Sequence, residues 1–184
     1  MATQTINPAN LTAKTSNPPN LSLATIPIVS GSLQIFSTSQ PSFPLEQIAQ
    51  ALRVASLGTP VLVVQFFTGG INQGVEQPRI LGQNLTWVRS QIQRRLDQHS
   101  QLTPLEKEQI LSLWAFTKTA IASQTYGLIL LDQINLAITL DLIPTTEIIQ
   151  QLSDRPPSLD LILTGTQIPT PLLELADQVT HRRN

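Results

Sequence analysis

The residues with the clearest chemical setting are Thr38, Ser39, Gln40, Pro41, Ser42, Phe43 and Pro44. They fill a short polar loop, 37–44, between two apolar patterns. Before it, Ser32–Phe36 reads as a buried strand that opens with Leu33 and Ile35. After it, Leu45, Ile48, Ala49, Leu52 and Ala55 recur at the spacing of one helix face. Strand, loop and helix in that order frame a phosphate cradle, in which backbone N–H groups at the helix N-terminus face the anion. That chemistry asks for the pattern G-x-x-x-x-G-K-[ST]. The loop contains neither glycine nor lysine. Pro41 and Pro44 have no N–H to donate, and each restricts the residue before it. The frame is present without its chemistry.

The second candidate is Asp132, at the end of the apolar run Leu128–Leu131. It suits either a metal-site carboxylate or a cap for the helix that follows, since both roles favour Asp there. No Ser/His/Asp set, carboxylate pair or metal cluster accompanies it. The chain has two histidines, His99 and His181, far apart in sequence, and no cysteine. Disulfides, thiolate metal sites and cysteine nucleophiles are thereby excluded, and a cytoplasmic location is the expectation. With 12% charged residues and a net charge of −1, electrostatics gives no case for nucleic acid. No apolar run is long enough to cross a bilayer, and the N-terminus lacks the basic start and apolar core of a cleaved signal.

The elements that must position these residues alternate. At 184 residues with 41% apolar content, the chain suffices for one domain with a sizeable core. Residues 1–28 are rich in Asn, Thr, Pro and Ala and read as a flexible or extended arm; an arm that docks on a protein partner is the alternative. Residues 29–184 form the domain. The run Val61–Phe67 reads as a covered strand, ended by Thr68–Gly70, with 71–83 as a loop. Leu85–Val88 suits a short strand or a helix entrance. Val88, Ile92 and Leu96 mark a modest helix whose other face exposes Arg89, Arg94, Arg95 and Asp97. Thr103, Pro104 and Glu106 start a helix strongly, with Ile110, Leu113, Trp114, Thr117 and Ile121 buried. Leu136–Leu142 and the stretch after Pro144 read as helices, Leu159–Leu163 as a strand, Leu172–Ala176 as a helix and Asp177–Thr180 as a last strand. This is an α/β pattern with a mostly parallel sheet and helices on both faces. Ligands of such sheets sit beyond the carboxyl ends of the strands. The expected site therefore gathers 37–44, Thr68–Gly70, Asp132–Asn135 and Thr164–Gln167.

An ordered set of short pieces carries a resemblance. They are Leu52-Arg53 through Gly58, Val63–Phe66, Thr86-Trp87, Leu131-Asp132, Pro144 with Glu147–Ile149, Leu163–Gly165 and Leu175–Thr180. From Gly31 to Thr180 the chain resembles the P-loop-type ATP:corrinoid adenosyltransferases, which make the cobalt–carbon bond of adenosylcobalamin. The resemblance implies a three-layer P-loop NTPase-like (RecA-like) fold, a homodimer, and use of ATP, Mg2+ and a corrinoid. It implies that Trp87, Leu85 and Asn135 lie on the corrinoid side. It also exposes departures. The family's lysine position falls on Phe43 and its metal-binding hydroxyl on Pro44. Its acidic pair is reduced to Asp132-Gln133, a relic of the metal site. Its lysine after the Gln-Phe strand is Thr68, and its arginine after the Thr-Gly turn is Thr166.

The expectation is therefore a corrinoid adenosyltransferase-like protein with a destroyed phosphate loop and no catalytic residues, a binding, regulatory or assembly protein that needs no cofactor. The alternative is an active ATP:cob(I)alamin adenosyltransferase with a remodelled nucleotide site.

Overall fold

The computed structural model describes residues 30–67 and 74–182. The arm 1–28, Thr68–Gly70 and Arg183 lie outside the described residues. Within them the chain runs β1 (Leu33–Thr38), α1 (Leu45–Ser56), β2 (Val61–Gln65), β3 (Arg79–Leu81), β4 (Leu85–Arg89), α2 (Pro104–Ala122), β5 (Leu128–Asp132), α3 (Ile134–Thr139), α4 (Thr145–Ser153), β6 (Asp160–Gly165), α5 (Thr170–Leu175) and β7 (Gln178–Arg182). One seven-stranded sheet has the order β3-β4-β2-β5-β6-β1-β7. Every pairing is parallel except β3 with β4.

Alternation along the strands divides the core between two faces. Val61, Val63, Leu85, Leu128, Leu130 and Ile162 meet Ile48, Ala51 and Ala55 of α1. Leu62, Val64, Ile129, Leu131, Leu161 and Leu163 turn the other way, toward residues of α2 to α5. Strands covered on both faces must be apolar at nearly every position, which is why β2 and β5 read as continuous runs. Helices thus lie on both faces of a mostly parallel sheet, as expected from the sequence.

Helix α2 starts as its sequence requires. Thr103 accepts from the Glu106 N–H at 3.2 Å, and Glu106 accepts from the Thr103 N–H at 2.8 Å. The two bonds satisfy donors that a helix start leaves open. The Arg94 guanidinium donates to both Glu106 oxygens, at 2.7 and 2.9 Å. This side-chain pairing, with the Thr103 bonds, holds the Glu106 carboxyl down at about 2. On the buried side of α2, the Trp114 indole N–H donates to Glu147 of α4 at 2.9 Å, beside Lys118 at 2.7 Å.

Several expectations are corrected. The helix expected through Val88, Ile92 and Leu96 is absent: Val88 lies in β4, and 90–103 runs irregularly. Ile92 and Leu96 still reach the core, so burial, not helicity, explains their spacing. Arg89 is buried rather than solvated, at 3% exposure. The stretch 71–83 contains the antiparallel strand β3. Phe66 and Phe67 lie beyond β2 as core residues. The helix expected to close at Tyr126-Gly127 ends at Ala122.

Candidate functional site

Parallel register brings the ends of four strands into one row. Arg89 lies opposite Gln65, Gln65 opposite Asp132, and Asp132 opposite Thr164. All four share the sheet face that α1 covers, because they continue the alternation of Leu85, Val63, Leu130 and Ile162. Their exposures are 3, 1, 2 and 5%. The Thr164 hydroxyl donates to Asp132 Oδ1 at 2.6 Å, and the Gln65 amide donates to Asp132 Oδ2 at 3.2 Å. Burial raises the Asp132 carboxyl to about 6, against the opposing pull of the Thr164 and Gln65 bonds. Burial also pushes the Arg89 guanidinium below its ordinary value.

Asp132 is therefore not the cap of α3. Gln133 holds that position in a left-handed conformation, φ 62°, with no side-chain cap bond. Its N–H donates to the Thr164 carbonyl at 2.8 Å, tying the end of β5 to β6. Among the described residues no group of three or more His, Cys, Asp or Glu side chains could hold a metal ion.

The loop after β1 is built differently. The Thr38 hydroxyl donates to the Gln40 carbonyl at 2.8 Å, and the Leu45 N–H to the Phe43 carbonyl at 2.8 Å. Pro44 precedes α1, where no side chain caps the helix. Glu46 puts a carboxylate in the first turn, where a helix N-terminus favours negative charge. That carboxylate meets Arg182 of β7 at 2.8 Å. Phe43, 49% exposed, stacks on Trp87 with ring centroids 6.3 Å apart and planes 18° from parallel. The loop separates two clefts. One, of about 270 Å³, lies between 38–42, the segment 96–99, α3 and the turn 165–167. The other, of about 220 Å³, lies toward α1 and β7.

The expected site residues separate into two groups. Thr38–Ser42, Gln133 and Asn135 line the larger cleft, together with Gly165–Gln167. Trp87 stands on the α1 face and is half-buried against Phe43. Leu85, expected beside it on the corrinoid side, is fully buried in the α1-face core and has no surface to offer a ligand. Asn135, on α3 and lining the cleft, does not join Trp87. Its amide donates to the Thr166 carbonyl, and its carboxamide rests against Gly165, where a Cβ would overlap it.

Sequence reasoning missed Gln65 and Arg89 as site residues, while Thr164 was within the expected set. A signal existed. In VLVVQ, LTWVR, LILLD and DLILT a polar residue follows an apolar stretch at the carboxyl end of each strand. Nothing in those local patterns says that the four ends meet.

The residues present do not fit magnesium and a triphosphate at the loop. No lysine and no hydroxyl follow it, two of its residues lack N–H groups, and Glu46 stands at the helix start. The family model described as ATP:corrinoid adenosyltransferase BtuR/CobO/CobP matches residues 47–184, beginning just after the loop. The chain is 32% identical over 71 residues to a corrinoid adenosyltransferase of Escherichia coli, covering 39% of this chain and 36% of that one. It is 30% identical over 135 residues to a corrinoid adenosyltransferase of Sinorhizobium sp, covering 67% of this chain and 58% of the relative. An uncharacterized protein of Nostoc sp. is 34% identical over 77 residues, covering 42% of this chain and 20% of the other. The matched stretches span less than two thirds of the length of each of these relatives.

Proposed function

The chain belongs to the ATP:corrinoid adenosyltransferase family, and we infer that it is a member that no longer transfers an adenosyl group and acts instead as a binding, regulatory or assembly protein. The carrying observation is the loop Thr38–Pro44. Phosphate binding at a helix start rests on converging N–H donors and a cation. Here Phe43 occupies the lysine position and stacks on Trp87. Pro41 and Pro44 remove donors, and Glu46 adds a negative charge. Charge-assisted bonds contribute about 1.5–3 kcal/mol each. Losing several weakens nucleotide binding by orders of magnitude. The family match that begins at residue 47 supports the same reading, since it leaves out this loop.

A corrinoid is the ligand that family membership suggests. Trp87 would supply an aromatic surface, though it already meets the chain's own Phe43. The homodimer, and a protein partner for the arm 1–28, belong to the same proposal. Among the described residues no helix is long and apolar enough to cross a membrane.

Two observations favour the second reading, an active enzyme with a remodelled nucleotide site. The larger cleft beside the loop is open, not plugged by prolines, and Asp132 persists at the strand end. Calorimetry and a transfer assay on the purified chain separate the two. The expected result is no MgATP binding tighter than about 1 mM and no adenosylated product with a reduced corrinoid. Micromolar MgATP affinity or turnover overturns the non-catalytic reading.

A further inference from the structure

We propose that the flank of α1 next to β4 and β3 is a docking surface for a partner protein that presents an amphipathic helix with an acidic rim. This rests on the non-catalytic reading and deepens it, because it gives the altered loop a protein partner of stated chemistry in place of a nucleotide.

The sheet face that α1 covers is wider than α1. Cross-strand partners share a face. Arg79 and Leu81 of β3 lie opposite Trp87 and Leu85 of β4, which stand on the α1 face. Both ends of α1 are tied toward this side: Phe43 stacks on Trp87, and the Asn84 amide donates to the Ala55 carbonyl at 3.1 Å. Ile48, Ala51 and Ala55 turn down to the sheet. Leu45, Ala49 and Leu52, spaced i, i+4 and i+7, share a second stripe about a quarter-turn from that buried line. The right-handed crossover from β1 through α1 to β2 aims this stripe toward β4 and β3.

The stripe is uncovered. Leu45 is 68%, Leu52 43% and Leu81 38% exposed, beside the half-exposed Phe43. Apolar side chains that lie together in solvent within a polar rim mark interaction surfaces. The stripe runs along a helix of 12 residues, about 18 Å long. A straight apolar edge of that length accepts the i, i+3, i+4, i+7 ridge of another helix.

The rim sets the partner's charge. Over 43–57 and 79–89 the charged residues are Glu46, Arg53, Arg79 and Arg89. Arg89 is buried, and Glu46 is met by Arg182. Arg53 and Arg79 are exposed, and neither meets a carboxylate among the described residues. The surface is thus basic on a chain whose net charge is −1. An acidic helix gains two arginine partners there, and a basic one is repelled. A second copy docked isologously would bring the same two arginines to the same surface. Residues 1–28 carry Lys14 and no carboxylate, so they offer those arginines nothing either.

The probe is a labelled peptide of about 18 residues with leucine on one helical face and glutamate and glutamine on the other, beside a twin with lysine for glutamate. Fluorescence anisotropy with the full-length chain should give the acidic peptide a Kd below about 100 μM at low salt, and the lysine twin binding at least about tenfold weaker. Leu52→Glu should weaken the acidic peptide about tenfold or more, and Arg53→Glu with Arg79→Glu should transfer the preference to the lysine twin. All three side chains are exposed, so both variants should keep the wild-type unfolding midpoint; if one does not, the other decides. No binding of the acidic peptide, equal binding of the two peptides, or binding untouched by the folded variants overturns the proposal. Because the chain has no cysteine, Leu52→Cys is a single reporter, and rapid maleimide labelling at every protein concentration is expected. Protection that grows with concentration assigns the surface to a second copy. Protection independent of concentration assigns it to residues 1–28. Leu52-dependent pelleting with phosphatidylserine vesicles, without peptide binding, assigns it to a membrane. Each of these three results overturns the acidic partner. Micromolar MgATP binding in a separate arm overturns the non-catalytic reading instead, so the two failures are read apart.

Discussion

Two regions share the carboxyl edge of this sheet and have kept different things. At the ends of β2, β4, β5 and β6, four polar side chains lie in register and buried, with Asp132 bonded from both sides. At the end of β1, the loop Thr38–Pro44 keeps its place between strand and helix but offers few donors and no lysine. The strand ends are constrained by neighbours on both sides. A change there leaves a buried partner unsatisfied, which costs about 1–3 kcal/mol. The loop is mostly exposed, with Phe43 half in solvent, and substitutions there cost the fold little. A site made of two such regions can lose its chemistry at the loop while its frame stays intact.

Substitutions can break or sharpen this contrast. Gly165→Ala at the end of β6 carries the largest expected effect. Its Cβ would overlap the Asn135 carboxamide, and overpacking of this kind costs about 1–3 kcal/mol. A urea unfolding midpoint that does not fall would show the strand-end region to be less constrained than argued.

Asp132→Asn comes next, with the opposite sign. The folded-state value of about 6 stands above the ordinary 3.8, so the folded protein holds the proton more tightly. The stability Asp132 contributes falls as pH rises from about 4 to about 6. Two pH units correspond to about 3 kcal/mol, from which the loss of one neutral bond subtracts about 1. The variant should therefore be more stable than wild type by about 2 kcal/mol at pH 7, with an advantage that fades as pH falls from about 6 and is gone by about 4. Unfolding free energies across that pH range check it. An advantage that is the same at every pH would remove the titration argument.

Phe43→Ala should have the smallest effect, under about 1 kcal/mol, since it gives up one half-exposed ring contact with Trp87. A loss of several kcal/mol in thermal unfolding would make the loop a structural plug and erase the contrast between the regions.

Local chemistry was legible where the residues that decide it are close in sequence. The start of α2 followed from Thr103, Pro104 and Glu106, and its capping box forms as written. The apolar strands β2 and β5 followed from run length. Helix α1 formed where periodicity placed it, but of its expected face only Ile48 and Ala55 are buried: Leu45, Ala49 and Leu52 are exposed, and Ala51 turns to the sheet instead. The segment 88–96 shows the limit. Val88, Ile92 and Leu96 have helical spacing, yet each reaches the core from a strand or an irregular path. Arg94, assigned to a solvated helix face, pairs with Glu106 and donates to the Gln101 carbonyl at 2.6 Å. A period of four residues reports burial at intervals, and packing decides which backbone delivers it.

The sequence by itself determined the α/β pattern, the run of strand ends closed by polar residues, and a phosphate loop without glycine or lysine. Only the tertiary structure decided that Arg89, Gln65, Asp132 and Thr164 form one buried row, that Phe43 lies on Trp87, and that Asn135 belongs to a cleft away from Leu85. Strand order and parallel register cause that division. They join residues 24 to 67 positions apart, such as Gln65 with Arg89 and with Asp132, and no short-range pattern encodes which strands become neighbours.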